Sequence, residues 1–203
     1  MIKFRVTFLA ISGILLFLGV SDLDLWWHNR TPTSTSAATL INQGPPAEWL
    51  KISDGYFDID RAISTTGTIE LEALLVPLLA DPGQEDIRVL VETRHPRTLE
   101  LMNGYHFLPE TEEEQIAFRK ANEAEFMAQR EFTGMLVSGL IAKGNRSKLL
   151  DLARETGLKI DDNVIFISEG KIPQLWRGLF FTVVALLTIL RVFWPGNKAL
   201  KKG

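Results

Sequence analysis

The chain has 203 residues, no cysteine and a formal charge of -3 at pH 7. Without cysteine, disulfides, thiolate metal sites, iron–sulfur clusters and cysteine nucleophiles are excluded. All 25 acidic residues fall within 21–174, an acidic stretch long enough to bury one ordinary core and unsuited to nucleic-acid phosphates or anionic lipid heads.

The chain begins with Lys3 and Arg5 and then runs apolar through 6–20. Two readings compete. A cleaved signal peptide uses such a start, with Gly19 and Ser21 as small residues at a cleavage site. An uncleaved anchor needs more length, which Leu23, Leu25, Trp26 and Trp27 supply as an interfacial belt, with Asp22 and Asp24 at the outer headgroups. The Trp pair just past the apolar run fits the anchor better than a mature N-terminus.

Residues 31–39 are small and polar and read as a spacer, running into a short helix over 36–43 with Ser36 as cap and Gly44 as stop. Pro45 and Pro46 prevent its continuation. Two sequons, at Asn29 and Asn145, matter only in a eukaryotic lumen. Over 49–63 apolar and polar residues alternate around Asp54-Gly55, a hairpin signal. The segment 69–79 is apolar on both faces and predicts a central strand, against which Pro77 implies an edge or bulge. A strand over 87–92 and a short helix over 96–102 follow, with Pro96 opening the helix and Gly104 past its end.

The segment 108–131 is opened by Pro109, and Glu110, Glu112, Glu113 and Glu114 in its first turn suit the positive end of a helix. Its irregular apolar spacing predicts a long helix projecting from the core. A strand over 132–142, a helix from Asn145 or Ser147 through Thr156, and a strand over 164–167 then imply at least one right-handed parallel crossover.

The segment 172–194 is the second apolar stretch. Between Arg177 and Arg191 every residue is uncharged. A bilayer core about 30 Å thick needs roughly 20 helical residues, and both Arg side chains can reach outward to the headgroups. Trp176 and Trp194 lie about 27 Å apart on a straight helix, at the two aromatic belts. A buried core helix would leave the flanking Arg and Trp residues and the tail of Lys198, Lys201 and Lys202 without a role. The membrane-interface residues are thus Trp26, Trp27, Trp176, Arg177, Arg191 and Trp194. Cations at both chain ends place both termini in the cytoplasm and the acidic bulk outside, periplasmic in a diderm bacterium.

Chemistry-bearing patterns are sparse. Gly139 to Ser147 superficially imitates a phosphate-binding loop, but Asn145 or Arg146 occupies the lysine position. Ser138 has no activating neighbour in sequence, and Asp58 with Asp60 read as one solvated strand face. His95 and His106, with Glu110 or one of Glu112, Glu113 and Glu114, offer a possible divalent-metal site, although their spacing does not compel one. His28 beside the Trp pair reads as interfacial.

The pieces Pro32-Thr33, Gly44-Pro45, Trp49-Leu50-Lys51-Ile52-Ser53-Asp54-Gly55, Gly134-Met135, Leu152 and Ile165-Phe166-Ile167-Ser168-Glu169-Gly170-Lys171-Ile172-Pro173 resemble a group of uncharacterised bacterial two-span membrane proteins. In layout alone the chain is similar to the membrane-flanked domain of mitochondrial E3 ligases. The ligases' zinc-binding RING would follow the second span, where this sequence has only 195–203 without cysteine, so no ligase activity is implied.

The expectation is an α+β fold, a mixed sheet with helices on one face, flanked by two transmembrane helices. Its parts are an anchor over 1–27, an extracytoplasmic domain over 28–171 with the projecting helix 110–131, and a second span with basic tail over 172–203. The expected function is non-enzymatic and without cofactor: an inner-membrane accessory or scaffold whose outer domain binds envelope proteins or its own copies, with the lipid bilayer as a further partner and no nucleic acid. The rival is a membrane-anchored metal-dependent hydrolase using His95, His106 and a nearby Glu.

Overall fold

The computed structural model describes residues 2–64, 73–137 and 158–193, with the side chains of 2–4 and 162 excepted. The chain forms two compact units, Thr31–Ile172 and a helix pair made of Met1–Arg30 with Pro173–Gly203.

Thr31–Ile172 is α+β with a mixed sheet. Its first strand, β1 (Thr33–Ser36), runs parallel to β2 (Trp49–Asp58). Residues 33–36 of the expected spacer are therefore a strand, because their backbone pairs with β2. Between the two strands lies α2 (Ala37–Gln43), where Ser36 Oγ accepts the Thr39 N–H and Gly44, at φ 84°, ends the helix. Then come β3 (Ile63–Ser64), β4 (Leu74–Leu79), β5 (Ile87–Thr93), α3 (Pro96–His106), α4 (Glu112–Ala121), α5 (Glu123–Phe126), β6 (Met127–Leu136) and β7 (Ile160–Glu169).

Among the described residues the strand order is β1-β2-β6-β7-β5-β4-β3, and β2 also pairs with β4 through Tyr56–Leu79 and Phe57–Leu78. The sheet therefore curls into a closed five-stranded barrel, not an open layer with helices on one face. Closure removes the edges that an open sheet exposes. Within the barrel the parallel contact joins β5 to β7, whereas β6 and β7 run antiparallel, so the parallel crossover expected between those two strands is not formed. The helices α3, α4 and α5 are inserted between β5 and β6. Connectivity alone assigns no function.

Asp54-Gly55 does not turn the chain. The register on β6 slips between Ile52–Phe132 and Gly55–Arg130, so Ser53 and Asp54 together face the single residue Glu131. Asp54 takes φ 59°, the left-handed conformation used both by tight hairpins and by one class of β-bulge. A Cβ on Gly55 would meet Leu78 and Ala37, which keeps the bulge pressed against the barrel wall.

The interior is filled by Leu50, Ile52, Phe57, Val76, Leu78 and Val91 from the strands, with Leu40 of α2 and Leu101 of α3 closing it. β4 is buried along its whole length, as its two apolar faces suggest, and Leu75 joins Ile87, Leu90 and Phe166 in a second cluster. Each such Leu or Ile stabilises the fold by about 1.5–3 kcal/mol relative to exposure. Pro77 lies between the residues of β4 that pair with β3 and those that pair with β2, where its missing donor is tolerated.

The long projecting helix over 110–131 is not formed. α4 ends at Ala121, α5 adds one turn, and 127–136 belong to β6. Nor does this region project: Phe118 of α4 lies on Gly104, where a Cβ would collide with its ring. Gly104 is consequently inside α3, which continues to His106 instead of stopping near 102. The loop 139–147, the helix expected to end at Thr156, and residues 69–72 and 138–142 of two expected strands lie outside the described residues.

The other unit pairs α1 (Ile2–His28) with α6 (Leu175–Phe193). Each is long and apolar enough to cross a membrane. At 1.5 Å per residue the 19 residues of α6 span about 28 Å. The two run antiparallel and close together. A Cβ on Gly19 would lie 2.9 Å from the Gly178 carbonyl, and one on Gly178 would lie 2.9 Å from the Asp22 Cβ. Small residues at a helix crossing allow this approach.

Candidate functional site

The helix pair reverses the burial pattern of a soluble protein. Its closed seam holds Ser12, Gly19, Gly178 and Ala185, whereas Phe8, Ile14, Phe17, Phe180, Leu187 and Phe193 point outward and are exposed. The hydroxyls of Ser12, Thr182 and Thr188 each donate to the carbonyl four residues back (Phe8, Gly178 and Val184), so each hydroxyl proton is satisfied inside its own helix. In water such an arrangement exposes the large apolar side chains and hides the small ones. In hydrocarbon it is the favourable arrangement.

Charges collect at one end of the pair. Arg177 donates twice to Asp22, from Nε at 2.7 Å and from Nη2 at 2.8 Å, a bidentate clasp between the helices. The Asp22 carboxylate is nearly buried while the guanidinium is half-exposed. His28 Nδ1 lies 3.3 Å from the Asp24 carboxylate, one turn back. Asn29 closes α1, its side-chain amide donating to the Leu25 carbonyl at 2.9 Å. Asn29 is itself buried, so the first sequon does not present an open acceptor. The rings of Trp26 and Trp27 meet edge-on at 6.5 Å, and the Arg30 guanidinium lies over both, 3.9 Å from the Trp27 ring centre and 5.1 Å from that of Trp26.

The six residues expected at a membrane interface therefore separate. Trp26, Trp27, Trp176 and Arg177 lie at this one end, Trp27 being 63 % and Trp176 79 % exposed. Arg191 is exposed in the last turn of α6, toward the opposite end. Trp194 lies outside the described residues. Arg177 reaches Asp22 of its neighbour, a pairing that no local pattern announces. The available signal is one acid and one base, each set just inside the polar end of an apolar segment.

Several polar side chains of the barrel pair with one another. Arg130 donates to the Thr98 hydroxyl and to Glu169, both at 3.1 Å, and lies over the Phe57 ring at 4.7 Å. Thr93 donates to the other Glu169 oxygen and accepts the His95 backbone N–H. Beside this network is a shallow cleft of about 120 Å³, lined among others by Ile59, His95, Arg97, Thr98 and Arg130. Arg97 is taken by Glu125 and Glu100, and these carboxylates push its guanidinium further above its usual range. Asp58 is buried and held by Arg61, so it is not on the solvated face expected of it, whereas Asp60 is exposed as expected and is held by Arg119 in a bidentate pair. Cations and carboxylates that neutralise one another are poorly placed for proton transfer.

The two histidines of the expected metal site stand at opposite ends of α3, about 16 Å apart along its axis. One ion cannot reach both, since ligand bonds are about 2 Å long. Burial pushes the His106 imidazole down from its ordinary value, and the nearby Asp60 charge opposes that shift. Among the described residues no three His, Asp or Glu side chains gather as a ligand set. Ser138 and the loop 139–147 lie outside the described residues.

Comparison with protein-family models, curated proteins and solved structures finds no match.

Proposed function

We propose that this chain is a two-span integral membrane protein whose barrel domain works by binding other proteins, not by catalysis. The inside-out packing of the helix pair carries the membrane reading, because only a lipid surround makes that arrangement stable. The pattern of basic residues puts both chain ends in the cytoplasm and the barrel on the other side, periplasmic in a diderm bacterium. The helices then act as the anchor, and Trp26, Trp27 and Trp176 mark one interface. Alkaline carbonate washing leaves the intact chain in the membrane pellet, and a reporter fused after Gly203 is active only in the cytoplasm. Release of the chain by carbonate, or activity of that reporter on the outer side, overturns this.

The interaction role has its own support. Where α3 meets α4, Phe107, Leu108 and Ile116 are exposed beside the acidic first turn Glu112, Glu113 and Glu114. An apolar patch with an acidic border suits a partner surface that is apolar and basic, and double tethering raises the barrel's effective concentration toward membrane partners. Crosslinking in native membranes, comparing the natural chain with Leu108→Glu and Ile116→Glu, tests it. Loss of one discrete crosslinked species with retention of folded protein is expected; an unchanged pattern overturns the assignment of this surface.

A further inference from the structure

We infer that Arg30, laid across Trp26 and Trp27, is a binding site for the phosphate group of a membrane phospholipid. The inference rests on the membrane reading above and adds a ligand to one end of the helix pair. Three observations converge. The first is stereochemical: a guanidinium is flat and presents its N–H donors around its rim, so a face set on an indole leaves the rim free for a tetrahedral oxyanion. The second is the disposition of the neighbouring charges. Asp22 is claimed by Arg177 and Asp24 lies against His28, and among the described residues no carboxylate pairs with Arg30. The third is position. Asn29 ends α1 by folding back onto the Leu25 carbonyl, which sets Arg30 directly beyond the apolar helix, next to a largely exposed Trp27. Aromatic rings of this kind settle at headgroup depth, where phospholipid phosphates are the abundant anions.

The acidic balance of 21–174 does not oppose this, because the site is local and a zwitterionic phospholipid brings no net charge to the barrel. The two rings hold the cation in place, so the ordering cost is met before the lipid arrives. Lysine would keep the charge but lose the flat stacking and the paired donors.

The test uses the full chain with carbon-13 at the arginine Cζ, reconstituted in phosphatidylcholine bilayers, with dephasing of Cζ by lipid phosphorus-31 as the readout in solid-state NMR. A dephased arginine signal is expected that is lost in Arg30→Gln and weakened in Trp27→Ala and Arg30→Lys. In bilayers of neutral galactolipid, which contain no phosphorus, the signal should be absent, and adding inorganic phosphate should not restore it. A signal unchanged in Arg30→Gln overturns the site, and restoration by inorganic phosphate overturns the lipid as its ligand. Carbonate washing of the same bilayers separates the two levels: a retained chain without the Arg30 signal defeats this inference alone, whereas a released chain defeats the membrane reading beneath it.

Discussion

His106 sits at the last turn of α3 with its ring edge-on to Tyr105, the centres 4.6 Å apart. Partial burial favours the neutral imidazole, so the folded chain takes up its proton at lower pH than the unfolded chain, whose ordinary value is near 6.5. The unfolded state then binds more protons as pH falls through 6.5, and stability declines in that window while staying level above it. The urea midpoint of the natural chain should drop between pH 7 and about 5.5, and His106→Asn should flatten that part of the profile. Glu85 and Glu125, held below their usual range by Lys159 and Arg97, lose their partners' help only below about pH 4.5, so the two windows are separable. At the neighbouring Gly104, a methyl group would press into the Phe118 ring. Gly104→Ala should cost about 1–3 kcal/mol by urea unfolding, and distinctly less in a Phe118→Ala background. Equal costs in both backgrounds would show that the ring is not what the methyl meets.

Among the elements, β2 shows how one local signal admits two structures. Asp-Gly asks for positive φ, and a hairpin tip or a bulge satisfies it equally; pairing with β6, distant in sequence, decides for the bulge. Asp54→Val should cost about 1–2 kcal/mol because a β-branched residue resists that conformation, while Asp54→Gly should be tolerated. Equal urea midpoints for the two variants would remove the strain argument. The apolar runs of β4 and β5 and the cap and stop of α2 were legible, since they depend on composition within a few residues. β6 was not. Met127, Ala128, Gln129 and Arg130 favour helix by intrinsic preference, and their strand state comes from partners on β2. Closure of the barrel was hidden for the same reason, resting on two residue pairs more than twenty positions apart.

For the whole molecule, the apolar lengths of α1 and α6 were plain in the sequence, as were the Trp residues near their polar ends. The Asp22–Arg177 clasp was not, because 155 positions separate its members. Asp22→Ala or Arg177→Ala alone leaves a charge at the helix seam without its partner, so each should lower the thermal midpoint in detergent more than the double variant does. The charge-reversed pair Asp22→Arg with Arg177→Asp should regain much of the loss. Additive losses without recovery would show that the two side chains do not act together.

The same separation imposes a sequence of events during synthesis. Ribosomes add about 5–20 residues per second, so the carboxylate of Asp22 emerges on the order of ten seconds before its cation does. For that interval the newborn first helix carries an uncompensated acid and an open glycine notch at Gly19. It must be sheltered by the insertion machinery until Arg177 arrives, so the anchor is completed only after the whole barrel has been made.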